Sequence, residues 1–270
     1  MKVFIDDDFD LKKIEESGQC FRVSELEDET WRFVHLDRIL YIKKTGDWEY
    51  EASASPKDWE KIWLPYFDLN RSYEDIRLSI PTEDSFMRKA AEYGKGIRVL
   101  RQDPWEMLIT FIISQRKNIP AITKSVELLC DMFGKEVPGE KIKLFPSPKD
   151  LSRATAEELN LCKLGYRTPY VLDAIEKVNS GDIDLCKLNE LKDQELFEEL
   201  KRVRGVGDKV ANCVCLFAYG RTSLVPVDTW IARIIDLEYN GKNPFARYKT
   251  SGGIMQQWAL YYARSIRIGT

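Results

Sequence analysis

Two rhythms divide the chain. Over the first third, apolar and polar residues alternate with a period of two, in WRFVHL (31–36), ILYIKK (39–44) and DWEYEASA (47–54). Successive side chains of a strand point to opposite faces, so this alternation predicts an antiparallel meander with one face buried. A TGD turn at Thr45–Asp47 joins the last two segments. From about Ser55 the period lengthens to that of a helix. The stretch DPWEMLITFIISQ (103–115) opens with Asp103 as N-cap, Pro104 at the first helical position and Glu106 three residues after the cap. These are the marks of a capping box ahead of a buried helix. Helical spacing recurs over 119–133, 155–162, 167–179, 193–203, 208–219, 228–236 and 253–266. A loop between Gly134 and Lys149 carries Pro138, Gly139, Pro146 and Pro148, and predicts a boundary between two helical lobes. The expected fold class is α+β, with a small N-terminal antiparallel sheet domain over 1–85 and a mostly helical body over 86–270.

Composition narrows the setting. A hydrophobic content of 44% with 31% charged residues describes a soluble globular chain. No apolar run reaches the roughly 18–20 residues of a membrane span. The acidic start, MKVFIDDDFD, lacks the apolar core of a signal peptide, which predicts a cytoplasmic, nucleoid-associated protein. Six scattered cysteines (Cys20, Cys130, Cys162, Cys186, Cys213, Cys215) and one histidine, His35, form no metal-ligand spacing. A reduced protein without metal or cofactor is expected, and without an iron–sulfur cluster, since no cysteine follows Cys215. The net charge of −3 is unevenly spread: residues 1–85 carry −9 and residues 86–270 carry +6. Ordinary solvated surface explains many such asymmetries, but a polyanion would bind the C-terminal part.

Candidate chemistry begins at LKRVRGVGDKVAN (200–212). Leu200 and Val203 end one apolar face, and Val210, Cys213, Val214 and Phe217 start another. Between them Gly205, Val206 and Gly207 form a corner ahead of a helix N-terminus, whose unpaired N–H groups suit a phosphate oxygen. A plain αα-corner with a glycine C-cap fits the same residues equally well. Lys209 stands two residues beyond the corner, and Asp228 follows nineteen residues later in SLVPVDTWIARII. Asp228 fits an N-cap and Lys209 a solvated surface cation. Together they also fit an amine nucleophile that forms a Schiff base, with a carboxylate to stabilise a sugar cation.

The ordered set GQCFRV (18–23), QDPWEMLITFIIS (102–114), LGYR (164–167), GVGDKVANC (205–213), VPVD (225–228) and QQWALYYAR (256–264) breaks that tie. It resembles the helix–hairpin–helix DNA glycosylase superfamily, and within it the 8-oxoguanine DNA glycosylase/AP lyases of bacterial type. The resemblance implies that Lys209 attacks C1′ of a damaged nucleotide and that Asp228 stabilises the developing sugar cation. It places the Gly18 carbonyl against N7–H of a flipped 8-oxoguanine, Gln256 on the base's Watson–Crick edge, and Cys213 on one face of the base. Leu260, with Tyr261 adjacent, falls where the family carries a stacking aromatic. Gly205, Val206, Gly207 and Thr229 fall on DNA-contacting positions, while Tyr166 and Arg167 match residues that wedge into the duplex. In SQRKNIPA, Arg116 replaces a space-filling asparagine and Ala121 replaces an arginine that reads the opposite cytosine, so weak discrimination by the opposite base is expected. The implied partner is double-stranded DNA with oxidised guanine, met by a monomer with no membrane attachment. Two rivals stay open: a monofunctional alkylated-base glycosylase, against which Lys209 argues, and a non-catalytic helix–hairpin–helix module that only holds phosphates.

Overall fold

A computed structural model describes residues 1–269. Strands β1 (Lys2–Phe4), β2 (Val23–Glu25), β3 (Trp31–His35), β4 (Arg38–Lys44) and β5 (Glu49–Ala52) form one antiparallel sheet in the order β1-β5-β4-β3-β2. The meander expected from the alternation is β3 to β5. Strand β2 extends it beside β3, with Val23 opposite Phe33, and β1 extends it beside β5, with Val3 opposite Tyr50. Glu51 of β5 lies between Lys2 and Lys43, an opposite-charge arrangement on both sides of the strand.

Two compact units make up the chain. The first comprises residues 1–33, 39–101 and the chain from Gly220 onward; the second comprises residues 34–38 and 102–219. The loop from Gly134 to Lys149 lies inside the second unit.

In the first unit the buried sheet residues Trp31, Phe33, Leu40 and Ile42 pack with Leu11, Ile14, Trp59, Trp63, Tyr66 and Phe67. Phe67 is the centre of this cluster, edge-on to Phe9, Phe33 and Tyr66 at centroid distances of 5.2, 5.1 and 5.1 Å. Beside the aromatics sits a completely buried cation, Arg98. Its guanidinium donates from Nε to the Phe67 carbonyl (2.9 Å), from Nη1 to Asp7 Oδ2 and the Asp8 carbonyl (both 3.0 Å), and from Nη2 to the carbonyls of Asp68 and Arg71 (both 2.6 Å). All five guanidinium N–H groups therefore find acceptors, and the plane lies 4.1 Å from the Tyr73 ring centroid. Burial alone would raise the Asp7 carboxyl, but hydrogen bonds from Tyr73, Asp8, Arg98 and Glu74 outweigh it and hold the group below the usual carboxylate range.

Asp84 is a second buried anchor of this unit. It caps helix Ser85–Tyr93 through Met87 N (3.1 Å) and accepts from the hydroxyls of Tyr239 (2.8 Å) and Tyr248 (2.6 Å). One carboxylate thus ties that helix to helix Thr229–Tyr239 and to the turn before helix Gly252–Ser265. The last helix packs on both of the others, and its Trp258 donates to the Ile97 carbonyl (3.3 Å).

The second unit is built around helix Pro104–Ser114, buried from Trp105 to its end. Asp103 accepts from Glu106 N (2.8 Å), as the cap pattern predicts. Helices Ile119–Phe133, Thr168–Ser180 and Asp208–Phe217 pack around it. The predicted helices are present with ends shifted by a few residues; the one beginning at Thr229 runs on to Tyr239, where Asn240 in a left-handed conformation (φ 51°) ends it.

Candidate active site

The hairpin lies in the second unit, between helices Asp193–Lys201 and Asp208–Phe217. Its two glycines turn out to have different physical reasons. Gly205 has φ 80°, and a Cβ there would stand 2.3 Å from Tyr170 Cδ2. Both backbone and neighbour demand glycine. Gly207 has φ −95°, open to any residue, and a Cβ there would meet nothing within 4 Å. Nothing in the fold requires glycine at that position. Val206 between them is buried, and its N–H donates to the Val203 carbonyl (3.0 Å). Gly205→Ala should therefore destabilise the protein by about 1–3 kcal/mol. For Gly207→Ala, a weaker N-cap is offset by a less flexible unfolded chain, so the change should stay within about 0.5 kcal/mol. Urea unfolding of both variants measures the contrast.

Lys209 is the second residue of helix Asp208–Phe217 and is partly buried. Its Nζ lies 3.4 Å from Ser114 Oγ and 5.2 Å from the Phe111 ring centroid. Phe111 in turn stacks on Phe217 at 5.4 Å and 15°. Among the described residues no carboxylate pairs with Lys209; its neighbour Asp208 pairs with Lys201 (2.9 Å). Cys213, one helical turn on, is buried. The sequence points to neither Phe111 nor Ser114, which read as ordinary members of an apolar helix.

Gln115 joins the hairpin to the end of helix Pro104–Ser114. Its side-chain amide donates to the Gly205 and Ile112 carbonyls (both 3.2 Å). Its own carbonyl receives Arg167 Nε (2.9 Å), Arg167 Nη2 and the Tyr166 hydroxyl (3.4 Å). The structure thus places the two expected wedge residues differently. Arg167 is buried, bonded to Gln115 and Leu164 and stacked 4.3 Å from the Tyr166 centroid; Tyr166 is exposed. Arg116 is exposed with φ 54°, and Ala121 lies in the first turn of the next helix, where Asn118 caps its N–H (3.0 Å). Nearby, Lys117 bonds the Ser125 hydroxyl and the Lys163 carbonyl (2.8 Å). Burial, then the charges of Arg167 and Lys163, push its ammonium below the ordinary lysine range.

The first unit carries the remaining candidates. Asp228 caps helix Thr229–Tyr239, its Oδ1 accepting from Trp230 N (3.0 Å) and Ile231 N (2.9 Å). Its other oxygen has no partner among the described residues. Thr229 is exposed beside it. Gln256 and Leu260 sit on helix Gly252–Ser265; Gln256 is buried and accepts from Gln257 Nε2 (2.8 Å). Tyr261, next to half-buried Leu260, is bonded to Glu16 (2.7 Å) and packed on Tyr93. Gly18 follows helix Leu11–Glu16 with φ 78°. It stands between Ser17, whose hydroxyl donates to the Ile14 carbonyl (2.6 Å), and Gln19, which is completely buried. Gln19 Nε2 donates to Ser17 Oγ (2.9 Å) and to the Arg98 carbonyl (2.8 Å), and its Oε1 accepts from Leu100 N (2.8 Å). Among the described residues no three His, Cys, Asp or Glu side chains are grouped to hold a metal ion, and no helix is long and apolar enough to cross a membrane.

Comparison with known proteins gives this geometry its context. Residues 2–108 match the 8-oxoguanine DNA glycosylase N-terminal domain, and residues 109–248 match the HhH-GPD superfamily base excision DNA repair proteins. The structure of MBOgg1 with a low-affinity DNA ligand is similar at a TM-score of 0.93 and 38% identity, over 98% of this chain and 96% of that one. The 8-oxoguanine glycosylase/lyase of Clostridium acetobutylicum, bound to double-stranded DNA with cytosine opposite 8-oxoguanine, is similar at 0.90 and 32%, over 99% of both chains. The N-glycosylase/DNA lyase of Saccharomyces cerevisiae is 32% identical over 194 residues, which are 65% of this chain and 50% of that protein. The match thus spans about half the length of that curated relative. Two adjoining family matches and a likeness running nearly the whole length of both solved chains agree: the chain belongs to the HhH-GPD superfamily of base excision DNA repair proteins, on its 8-oxoguanine DNA glycosylase/lyase branch.

Proposed function

We propose that this chain excises 8-oxoguanine from double-stranded DNA and then nicks the strand as an AP lyase, with Lys209 as nucleophile. One observation carries the reading: Lys209 is a partly buried amine in the first turn of a helix, against an aromatic ring and without an ion pair among the described residues. An amine that no carboxylate holds in place can turn toward an electrophilic sugar carbon.

The target nucleotide leaves the stack so that C1′ becomes accessible. Lys209 Nζ bonds to C1′ as the N9–C1′ bond breaks, with the electron pair leaving on the base. Opening of the sugar ring gives an imine to Lys209. Loss of a C2′ proton then expels the 3′ phosphate by cleavage of the C3′–O bond, and water hydrolyses the imine to restore the lysine. Asp228, its second oxygen uncommitted, stabilises positive charge on the sugar as the base departs. The Gly18 carbonyl accepts N7–H of 8-oxoguanine; guanine offers a lone pair there and is rejected. Gln256 reads the Watson–Crick edge, and Cys213 and Leu260 bound the base.

The corner Gly205–Val206–Gly207 and the following helix N-terminus hold a phosphate. Glycine at position 207, which the fold does not require, leaves room for that oxygen. Thr229 and Arg116 add contacts to the DNA, and exposed Tyr166 enters the duplex while Arg167 braces the loop beneath it. The chemistry uses only the chain's own groups, and one chain suffices, acting as a monomer on nucleoid DNA in the cytoplasm. Ala121 offers no side-chain donor to the opposite base.

Borohydride trapping on duplexes with 8-oxoguanine opposite each of the four bases tests the reading. A covalent adduct is expected in all four, with rates opposite C and A within about threefold, less than one bidentate base contact would impose. Free base without an adduct would transfer the chain to the monofunctional glycosylases, and a strong preference for C would sink the opposite-base argument.

A further inference from the structure

We propose that Gln19 is a positioning residue that fixes the Gly18 carbonyl and so sets discrimination between 8-oxoguanine and guanine; this rests on the reading of Gly18 given above. Gly18 sits in the left-handed region, is half-buried, and has a carbonyl that no donor among the described residues reaches. A glycine peptide rotates easily, and the Gly18 carbonyl belongs to the plane shared with residue 19. Its direction is therefore governed by what holds the two neighbours.

Both neighbours are held. Ser17 N donates to the Lys13 carbonyl (3.0 Å) and Ser17 Oγ to the Ile14 carbonyl (2.6 Å), which fixes the chain before the glycine. After it, the buried Gln19 amide spans two backbone groups of residues 98–100 and returns to Ser17 Oγ. The carbonyl it bonds belongs to Arg98, whose own side chain makes five hydrogen bonds. One side chain thus closes a clamp across the glycine and ties it to the core. Discrimination by one carbonyl depends on a single N–H···O bond, which a displacement of about 1 Å removes. A flexible residue can present such an acceptor only if its surroundings fix it.

The test compares Gln19→Glu, Gln19→Ala and Ser17→Ala with the unaltered protein. Glu keeps the acceptor for Leu100 N and loses the donor to the Arg98 carbonyl and to Ser17 Oγ, while Ser17→Ala removes the return contact and the bond to the Ile14 carbonyl but leaves Gln19 tied to residues 98–100. Single-turnover excision is measured on duplexes with 8-oxoguanine and with guanine, and strand nicking on a duplex with a preformed abasic site, which has no base to read. The expected result is a fall of at least about tenfold in the 8-oxoguanine-to-guanine ratio for Gln19→Ala, a smaller fall for the other two, and abasic-site nicking within about twofold. A purely structural role would lower all three rates together, so an unchanged ratio in every variant overturns the proposal, whatever the absolute rates. Failure of the unaltered protein to release 8-oxoguanine would instead remove the reading of Gly18 itself.

Discussion

Lys209→Gln should abolish base release and borohydride trapping while leaving the protein folded and able to hold DNA. The single-turnover rate is expected to fall by about 10³-fold or more, the scale seen when a covalent nucleophile is deleted. Folding should survive because the amine contributes little to it: a long contact to Ser114 (3.4 Å) and a ring contact to Phe111, together about 1 kcal/mol. Glutamine keeps part of the apolar stem and offers an amide toward Ser114. DNA affinity should fall by no more than a single lost charge implies, a shift that added salt erases. The measurements are trapping with 8-oxoguanine duplex, base release, and gel-shift affinity on the same preparation. Loss of affinity with retained base release would make the residue a phosphate contact and refute its role as nucleophile.

The second large effect concerns stability. Arg98→Met should cost about 3–5 kcal/mol, lowering the melting midpoint by roughly 6–20 °C. Methionine fills much of the volume but supplies no donor. The carbonyls of Phe67, Asp8, Asp68 and Arg71 and the Asp7 carboxylate lose their guanidinium partner together. Each buried acceptor left unpaired costs about 1–3 kcal/mol, partly relieved by water and local movement. Arg98→Lys should recover less than half of the loss, because an ammonium has three donors and no planar fork. The Asp7 part of the brace has a pH signature. Its folded pKa lies below the unfolded value, so its contribution is present above the usual carboxylate pKa and is lost as the pH falls through the depressed one. Thermal melts across that acid range should show a shallower loss in Arg98→Met than in the unaltered protein.

These two residues mark how much the sequence discloses. Strands β3 to β5 are long enough for alternation to show, whereas β1 and β2, of three residues each, are too short for a period of two to register. Helix starts read well because caps are local chemistry: Asp103 and Asp228 accept backbone N–H groups where the pattern puts them. Arg98 and Gln19 do not read at all. Polar side chains in a sequence look solvated, and only the fold brings the carbonyls that justify burying them. The hairpin is an intermediate case. Its position and its lysine are visible in GVGDK, but sequence treats the two glycines alike, and only the φ angles and the Tyr170 ring separate them. Attention in SQRKNIPA falls on Arg116, while the contacts converge on Gln115.

The discontinuous first unit also imposes an order of manufacture. Residues 1–33 and 39–101 leave the ribosome early, yet their partners on helices Thr229–Tyr239 and Gly252–Ser265 are the last to be made of everything described here. At a synthesis rate of about 5–20 residues per second, the second unit is whole several seconds before those helices are finished. During that interval Asp84 lacks Tyr239 and Tyr248, and the faces of helix Ser85–Tyr93 meant for the last helix lie open to other chains. Lys209 and the two side chains it touches, Phe111 and Ser114, are therefore all made before Gln256 exists.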